Sequence, residues 1–482
     1  MRYAAAIFLL VATTLFTPTR AGAETPLSGA QFANRVLSGE AVFDGATVSS
    51  DVDLSGKTVD HPFSCQDCVF EGKVIANGTT FNGIVDLRGA KLANTAYFEN
   101  ATFKRAVLLG SPTSSRDVRF NGGADFSNAT FADIATFEYT VFSGVTFQLA
   151  EFDGPATFAH LSVSGDAYRH GRAYFNRSEF QSRVDFSDTI FRRATEFSGI
   201  AFSGPADFGS AHFEGPTTFR RARFDKGATF VQASFPLPPG GETSFLGVQC
   251  GGGLDFSFAN IARQVDFSNM VVLGAISFHE AHITTPQGMT FENLSTTGLD
   301  LDVPTAKHAV ARADLISVLG LIEASAQARG DLGTANDAHY ERRVLESRQD
   351  GWFEHALDFV FYRTLAGYFV RPFRPLAALF ILAAIATAFH IGRQGWRHPA
   401  PTEVEKQNRL DRQYRRARRM VPPFGEAYLQ TLTMVVPGRG PSADERPARW
   451  IEATVYRLLF VCALIGFANS NPTLRQMIDA VR

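Results

Sequence analysis

From Phe43 to Ile283 the large apolar residues fall on a beat that suits neither a helix nor an ordinary strand. In the middle of the chain they read Phe175, Phe180, Phe186, Phe191, Phe197, Phe202, Phe208, Phe213, Phe219, Phe224, Phe230 and Phe235. The steps alternate five and six residues, a period of 11. The same beat runs earlier through Phe43, Val48, Leu54, Val59, Cys65 and Phe70 to Leu109, and later from Phe245 to Ile283. It slips near Phe142–Phe152 and near the Pro-rich 236–239, and it is irregular over Val163–Phe175. A small residue often stands two places before the aromatic, as Ala206 before Phe208 and Ala211 before Phe213. Ser, Gly, Asn and Arg mostly follow it. Helical and strand periodicities both fail to give this spacing. A square-sectioned solenoid gives it: each side turns one large and one small residue inward, then rounds a corner on polar residues. Like residues then lie over like, and the rings form inner ladders about 4.8 Å apart along the axis. The clearest stretch of ladder is Phe186, Phe191, Phe197, Phe202, Phe208, Phe213, Phe219 and Phe224.

The segments GADFSNATF (Gly123–Phe131) and GPADFGSAHF (Gly204–Phe213) resemble pentapeptide-repeat proteins in their Phe-centred variant, over roughly residues 40–292. The resemblance implies a mainly β fold, a right-handed quadrilateral β-helix. Four sides per coil make two periods, about 22 residues, one turn; about eleven coils then make a column near 50 Å long. The family's usual step is a uniform five, so the alternation here leaves the corner geometry open. A solenoid needs capped ends. Ser28–Leu37 reads as a short helix over the first coil, and Leu299–Val303 leads into helices at the other end.

The flanks predict a membrane protein. Residues 1–23 carry Arg2, a short apolar core and Ala21-Gly22-Ala23, the pattern of a cleaved secretory signal. The solenoid and its cap, 24–302, then face the extracytoplasmic side. Residues 303–368 read as a helical hairpin, with Gly330 as stop and Asp331 as the next N-cap, followed by an aromatic amphipathic helix at Trp352–Tyr368. Pro375–Gly392 holds 18 residues without Asp, Glu, Lys or Arg, which predicts a transmembrane helix within 369–395. The basic run Lys406–Arg419 marks 396–446 as a cytoplasmic loop. In 447–482 a second apolar stretch is broken by Glu452 and Arg457, and it either spans or lies on the membrane. Together these flanks resemble the C-terminal region of bacterial pentapeptide-repeat membrane proteins, some of which resemble two-helix ion-channel modules. The matching pore loop, Ala427–Gly440, keeps only a Thr and a Gly of a potassium filter.

Composition sharpens this picture. There are 45 Phe against 11 Tyr and 3 Trp, as a repeat reusing one core slot requires. The net charge of −2 hides an asymmetry: residues 24–302 carry 31 acids and 20 bases, residues 303–482 carry 17 and 24. An acidic column excludes a nucleic-acid partner. The acids recur outward, as Asp125, Asp185, Asp207, Asp255 and Asp266, and read as a solvated face. Cys65 and Cys68 both take inward slots; two buried thiols and, after export, a disulfide are the two main readings. Cys250 lies on the beat as core. His279-Glu280-Ala281-His282 is one residue short of a zinc-binding spacing. No catalytic, metal or cofactor motif stands out. The expectation is a non-enzymatic, membrane-anchored interaction scaffold without cofactor, its partners the lipid bilayer and a protein, or a second copy of the chain. The alternative is an ion-channel or transport subunit with a degenerate pore loop.

Overall fold

The computed structural model describes residues 25–110, 117–165, 171–236, 241–348, 373–394, 428, 432 and 447–470. The expected signal segment, the amphipathic helix at Trp352–Tyr368, the basic run Lys406–Arg419 and most of Ala427–Gly440 lie outside the described residues. The chain divides into two compact units, Met1–Ser325 and Ala326–Arg482.

The first unit is a parallel β-solenoid of about 11 turns, followed by helices. Its four faces begin at Thr47–Val48, Val52–Asp53, Thr58–Val59 and Phe63–Ser64. The first and second faces are 11-stranded parallel sheets. The third and fourth join into one 20-stranded sheet, because Val271–Ser277 runs unbroken from one face to the other. Nearly every strand is two residues long, one inward and one outward. Register is kept by the inward residue, since a slip of one would turn every Phe to solvent. Thr47 pairs with Val69 and Val69 with Lys91, a coil of 22 residues. The slips in the beat are changes of coil length. Val141 pairs with Ser162 after 21 residues, Ser162 with Ile190 after 28, and Ser234 with Asn260 after 26. Lys91 likewise pairs with Arg119 after 28, taking in 111–116.

The five–six alternation has a physical cause in two kinds of corner. Five-residue steps round a tight type II turn. Ser178 N–H donates to Phe175 C=O at 3.2 Å, with Arg177 between them at φ 58°. The same turn recurs at Phe208, where Ala211 N–H donates to the Phe208 carbonyl at 3.1 Å around Ser210. The third residue of a type II turn must take positive φ. Six-residue steps make a wider corner, often built on Gly-Pro. There Gly215 passes so close to the coil below that a Cβ would lie 2.1 Å from the Arg193 carbonyl carbon.

Both ends of the column are closed. Helix α1, Gly29–Leu37, starts in a capping box between Ser28 and Gln31 and sets Phe32 against Phe43 and Phe70 at 4.7 and 5.4 Å. At the far end lie α2, Val303–Ala309, capped by Asp302, and the start of α3, Leu315–Arg329. Ala311 N–H donates to the Met289 carbonyl, and the Asp314 carboxylate accepts from Phe291 N–H at 2.7 Å, so the last coil's polar groups are met.

The second unit holds α4, Leu332–Glu346, with α5, Phe373–Gln394, and α6, Pro447–Ser470. Asp331 caps α4 as the sequence predicts, accepting from Thr334 N–H at 3.1 Å. Leu379 and Ala383 of α5 pack on Tyr456 and Leu459 of α6. Both apolar stretches are therefore helical. Against the expectation of one or two transmembrane helices, no helix among the described residues is long and apolar enough to cross a membrane.

Candidate functional site

The inward slots are a continuous aromatic column. Phe186 stacks on Phe208 at 5.0 Å, Phe191 on Phe213 at 5.4 Å, Phe197 on Phe219 at 4.7 Å and Phe202 on Phe224 at 4.9 Å. Each is essentially inaccessible to solvent. Rings from neighbouring faces meet edge to face, as Phe186 and Phe197 do at 5.6 Å and 82°. Stacked and edge-on geometries are the two that the ring quadrupole favours. The interior is thus filled and dry, and any functional surface is on the outside.

The outward acids are not simply a solvated face, and this part of the sequence reading is corrected. Asp125, Asp185, Asp207 and Asp255 each accept, through Oδ1, the backbone N–H two residues on at 2.9 Å; Asp266 does so at 3.0 Å. Thr146, Thr157, Thr218 and Thr229 do the same with their hydroxyls, at 3.2 to 3.4 Å. Each stands just before the Phe that enters a tight corner, and its side chain ties that corner down. The signal was in the sequence: Asp and Thr precede the Phe that opens a five-residue step.

Three polar clusters break the pattern. Near the first coils Arg88 grips the buried Asp86 through Nε and Nη2 at 2.9 and 2.6 Å, and the Gln66 amide donates to Asp86 at 2.9 Å. The Asp86 carboxylate holds the Arg88 guanidinium above its ordinary pKa. Midway, Thr157 Oγ1 donates to Glu138 at 3.1 Å, the His160 ring stacks on Tyr139 at 4.6 Å, and Asp188 lies 4.0 Å from His160. Burial, with Asp185 nearby, pushes the Glu138 carboxyl up.

The third cluster is Arg263, 2 % exposed. Its Nε donates to Pro236 C=O at 2.9 Å and its Nη1 to Gly215 C=O at 2.6 Å. Its Nη2 donates to Phe213 and Glu214 carbonyls at 2.8 and 3.0 Å. At this corner of other coils, the residue after the inward slot donates its N–H to the coil below: Glu214 to Phe191 at 2.9 Å, Ala262 to Phe235 at 3.0 Å. Pro236 has no N–H to give. Arg263 supplies the missing donor to Phe213. Burial draws its pKa down to about 10, so it keeps its charge at neutral pH.

Cys65 and Cys68 are fully buried and joined by a disulfide across a tight corner, with Asp67 at positive φ between them. Cys250 is buried on the beat between Phe224 and Val272, and burial raises its thiol pKa. His279 and His282 stand on either side of a corner, with Phe278 inward, so the near-zinc spacing brings no ligands together. Among the described residues no group of three or more His, Cys, Asp or Glu could hold a metal ion.

In the second unit the exposed side chains described on the helix pair are apolar except for Thr454. On α6, Leu458, Val461, Leu464 and Ile465 are 44 to 60 % exposed; on α5, Phe380, Ile381 and Ile385 are 48 to 60 % exposed.

A family model described as Pentapeptide repeats (9 copies) matches residues 66–111, 116–161 and 197–236. The chain therefore carries pentapeptide repeats, and the matched stretches are coils of the solenoid. No curated protein and no solved structure matches the chain.

Proposed function

We propose that this protein is a non-enzymatic interaction scaffold, its solenoid facing the extracytoplasmic side of a membrane and its α5–α6 pair holding it there. One observation carries the scaffold reading: a uniform inner column beneath outward residues that change from coil to coil. The third face, for example, presents Thr58, Thr80, Thr102 and Thr130 in register, then Glu151, Glu179, Ala201 and Arg223. A rigid frame with a variable exterior is how solenoids recognise partners. The anchoring reading is supported by the helix pair. A helix apolar on nearly every side is stable only in an apolar surround, and Val455, Leu458, Phe460, Val461, Leu464 and Ile465 leave α6 in that condition. The extracytoplasmic side is supported by the pattern of residues 1–23.

Two measurements test the reading. Reporter fusions active only outside the cytoplasm are expected to work at Gly240 and fail at Gln407; the opposite pattern overturns the orientation. Photo-cross-linkers at Glu151, Glu179 and Arg223 are expected to capture one discrete protein in living cells. Absence of a discrete adduct from all three positions overturns recognition through the third face.

A further inference from the structure

The Cys65–Cys68 disulfide is closed in from both sides, and both residues are 0 % exposed. Above it the next coil is bonded on: Cys65 N–H donates to the Asp86 carbonyl at 2.8 Å and Asp67 N–H to the Arg88 carbonyl at 2.9 Å. Below it lies the stretch that leads out of α1. Phe43 N–H donates to the Ser64 carbonyl at 2.8 Å and Gly45 N–H to the Gln66 carbonyl at 2.7 Å, and the Phe43 carbonyl oxygen stands 3.1 Å from Cys68 Sγ. The Asp44 carboxylate accepts from the Ser64 hydroxyl and, at 2.8 Å, from Gln66 N–H. Phe32 of α1 rests on Phe43 at 4.7 Å. A corner that other coils build on a ring and a small residue, as on Phe208 and Ala211, is here built on two sulfurs.

Such a bond forms in two displacements. One thiolate attacks an oxidant's disulfide, and the second thiolate then expels the oxidant from the mixed disulfide. The oxidant's S–S bond breaks, and its two sulfurs leave as thiols with the two electrons and two protons that the cysteines give up. Both displacements need a third sulfur beside the pair, and in the closed corner none can reach it. We infer that Cys65 and Cys68 are oxidised on the emerging chain, before α1 and the second coil close over them, by thiol–disulfide exchange with a dithiol-oxidising protein outside the cytoplasm. Folding then seals the bond, which makes it a lock set once and not a reversible redox switch. The order of the chain allows this: residues 25–48 form the lower lid and precede the pair, while residues 85–90 form the upper lid and follow it. The inference rests on the extracytoplasmic reading of the solenoid.

Two measurements on the full-length protein test it. In cells, chains are labelled during a pulse in dithiothreitol, the reductant is washed out, and free thiols are tagged with a maleimide polymer after acid quenching. Two tags per chain mark the oxidised pair and four the reduced one, since Cys250 and Cys462 are free. Chains made after the wash are expected to carry two tags, and chains made before it to keep four through the chase. Oxidation of the earlier chains as fast as the later ones overturns the order of events. Four tags on the later chains overturn the extracytoplasmic reading if a reporter fused at Gly240 is inactive outside the cytoplasm, and the oxidation itself if that reporter is active. The second measurement starts from the oxidised protein in detergent micelles and follows its reduction by dithiothreitol. Native protein is expected to react at least about a hundredfold more slowly than protein unfolded in urea, because the sulfurs are reached only when the end of the column opens. Phe32→Ala loosens the lower lid and should speed native reduction at least about tenfold, whereas Asp302→Ala, at the far end, should leave it unchanged. Reduction as fast as in urea, or equal effects of the two variants, overturns the seal.

Discussion

Replacing Arg263 with Ala tests whether a single side chain repairs a ladder that proline breaks. Four charge-assisted bonds at 2.6 to 3.0 Å join its guanidinium to backbone carbonyls of two coils. Hydrogen bonds to a charged group contribute about 1.5–3 kcal/mol each, so the gross gain is at least about 6 kcal/mol. Against it stands the cost of burying the charge. A pKa drawn from 12.5 to about 10 corresponds to roughly 3 kcal/mol at about 1.4 kcal/mol per unit. A lowered pKa on a base means the charged form pays this cost at every pH below about 10, neutral pH included. The difference leaves a net stabilisation of about 3 kcal/mol, which Arg263→Ala should lose. Pro236→Ala restores the N–H that the corner lacks, so the two changes must couple. In the Pro236→Ala background the loss should shrink by about 1–2 kcal/mol. Urea unfolding followed by circular dichroism gives the four free energies, and hydrogen exchange at Phe213–Gly215 locates the effect. Additivity within about 0.3–0.5 kcal/mol would refute the repair.

Two more expectations follow from the core and from the Glu138 cluster. Phe208→Ala opens the stack between Phe186 and Phe230, 5.0 and 4.8 Å away, and should cost about 3–5 kcal/mol in urea unfolding. Phe258→Ala, at a corner where the ring is 49 % exposed, should stay within about 0.5 kcal/mol; equal losses would contradict the inward register. Glu138 has its pKa raised by burial, so the stability it contributes is present at low pH and is lost as pH rises through and above the usual carboxylate range. Glu138→Gln should therefore match the parent at acid pH and melt higher at pH 7, and a thermal-melt difference that is flat across pH 3–8 would contradict this.

The column was legible because its information is local and redundant. A Phe every five or six residues states the inward slot many times over, and Phe186 to Phe224 lie where that rhythm puts them. The corners were half legible. The alternation could be counted, but its cause lies in backbone torsions at residues such as Arg177 and Ser210, which carry no compositional mark of positive φ. Asp185 and Asp207 were read by charge, as solvated acids, when their place one step before a tight corner was the relevant fact. Arg263 could not have been found in the chain alone. Its partners lie 27 to 50 residues away and are backbone atoms, which no residue type advertises.

The stacking of whole coils through short parallel ladders also fixes how the column would respond to force. Coils are joined in series, and each neighbouring pair shares only two-residue strands and one layer of rings on each face. A pull along the axis loads one such layer at a time, as in a zipper, whereas shear across the faces would have to break many layers together. Peeling one coil gives up about 4.8 Å of column and releases about 22 residues, a contour of roughly 70–80 Å at 3.3–3.6 Å per residue. The solenoid is therefore stiff to bending but extensible beyond a threshold tension, yielding coil by coil from whichever end-closing helix gives way first, with longer instalments at the 26- and 28-residue coils.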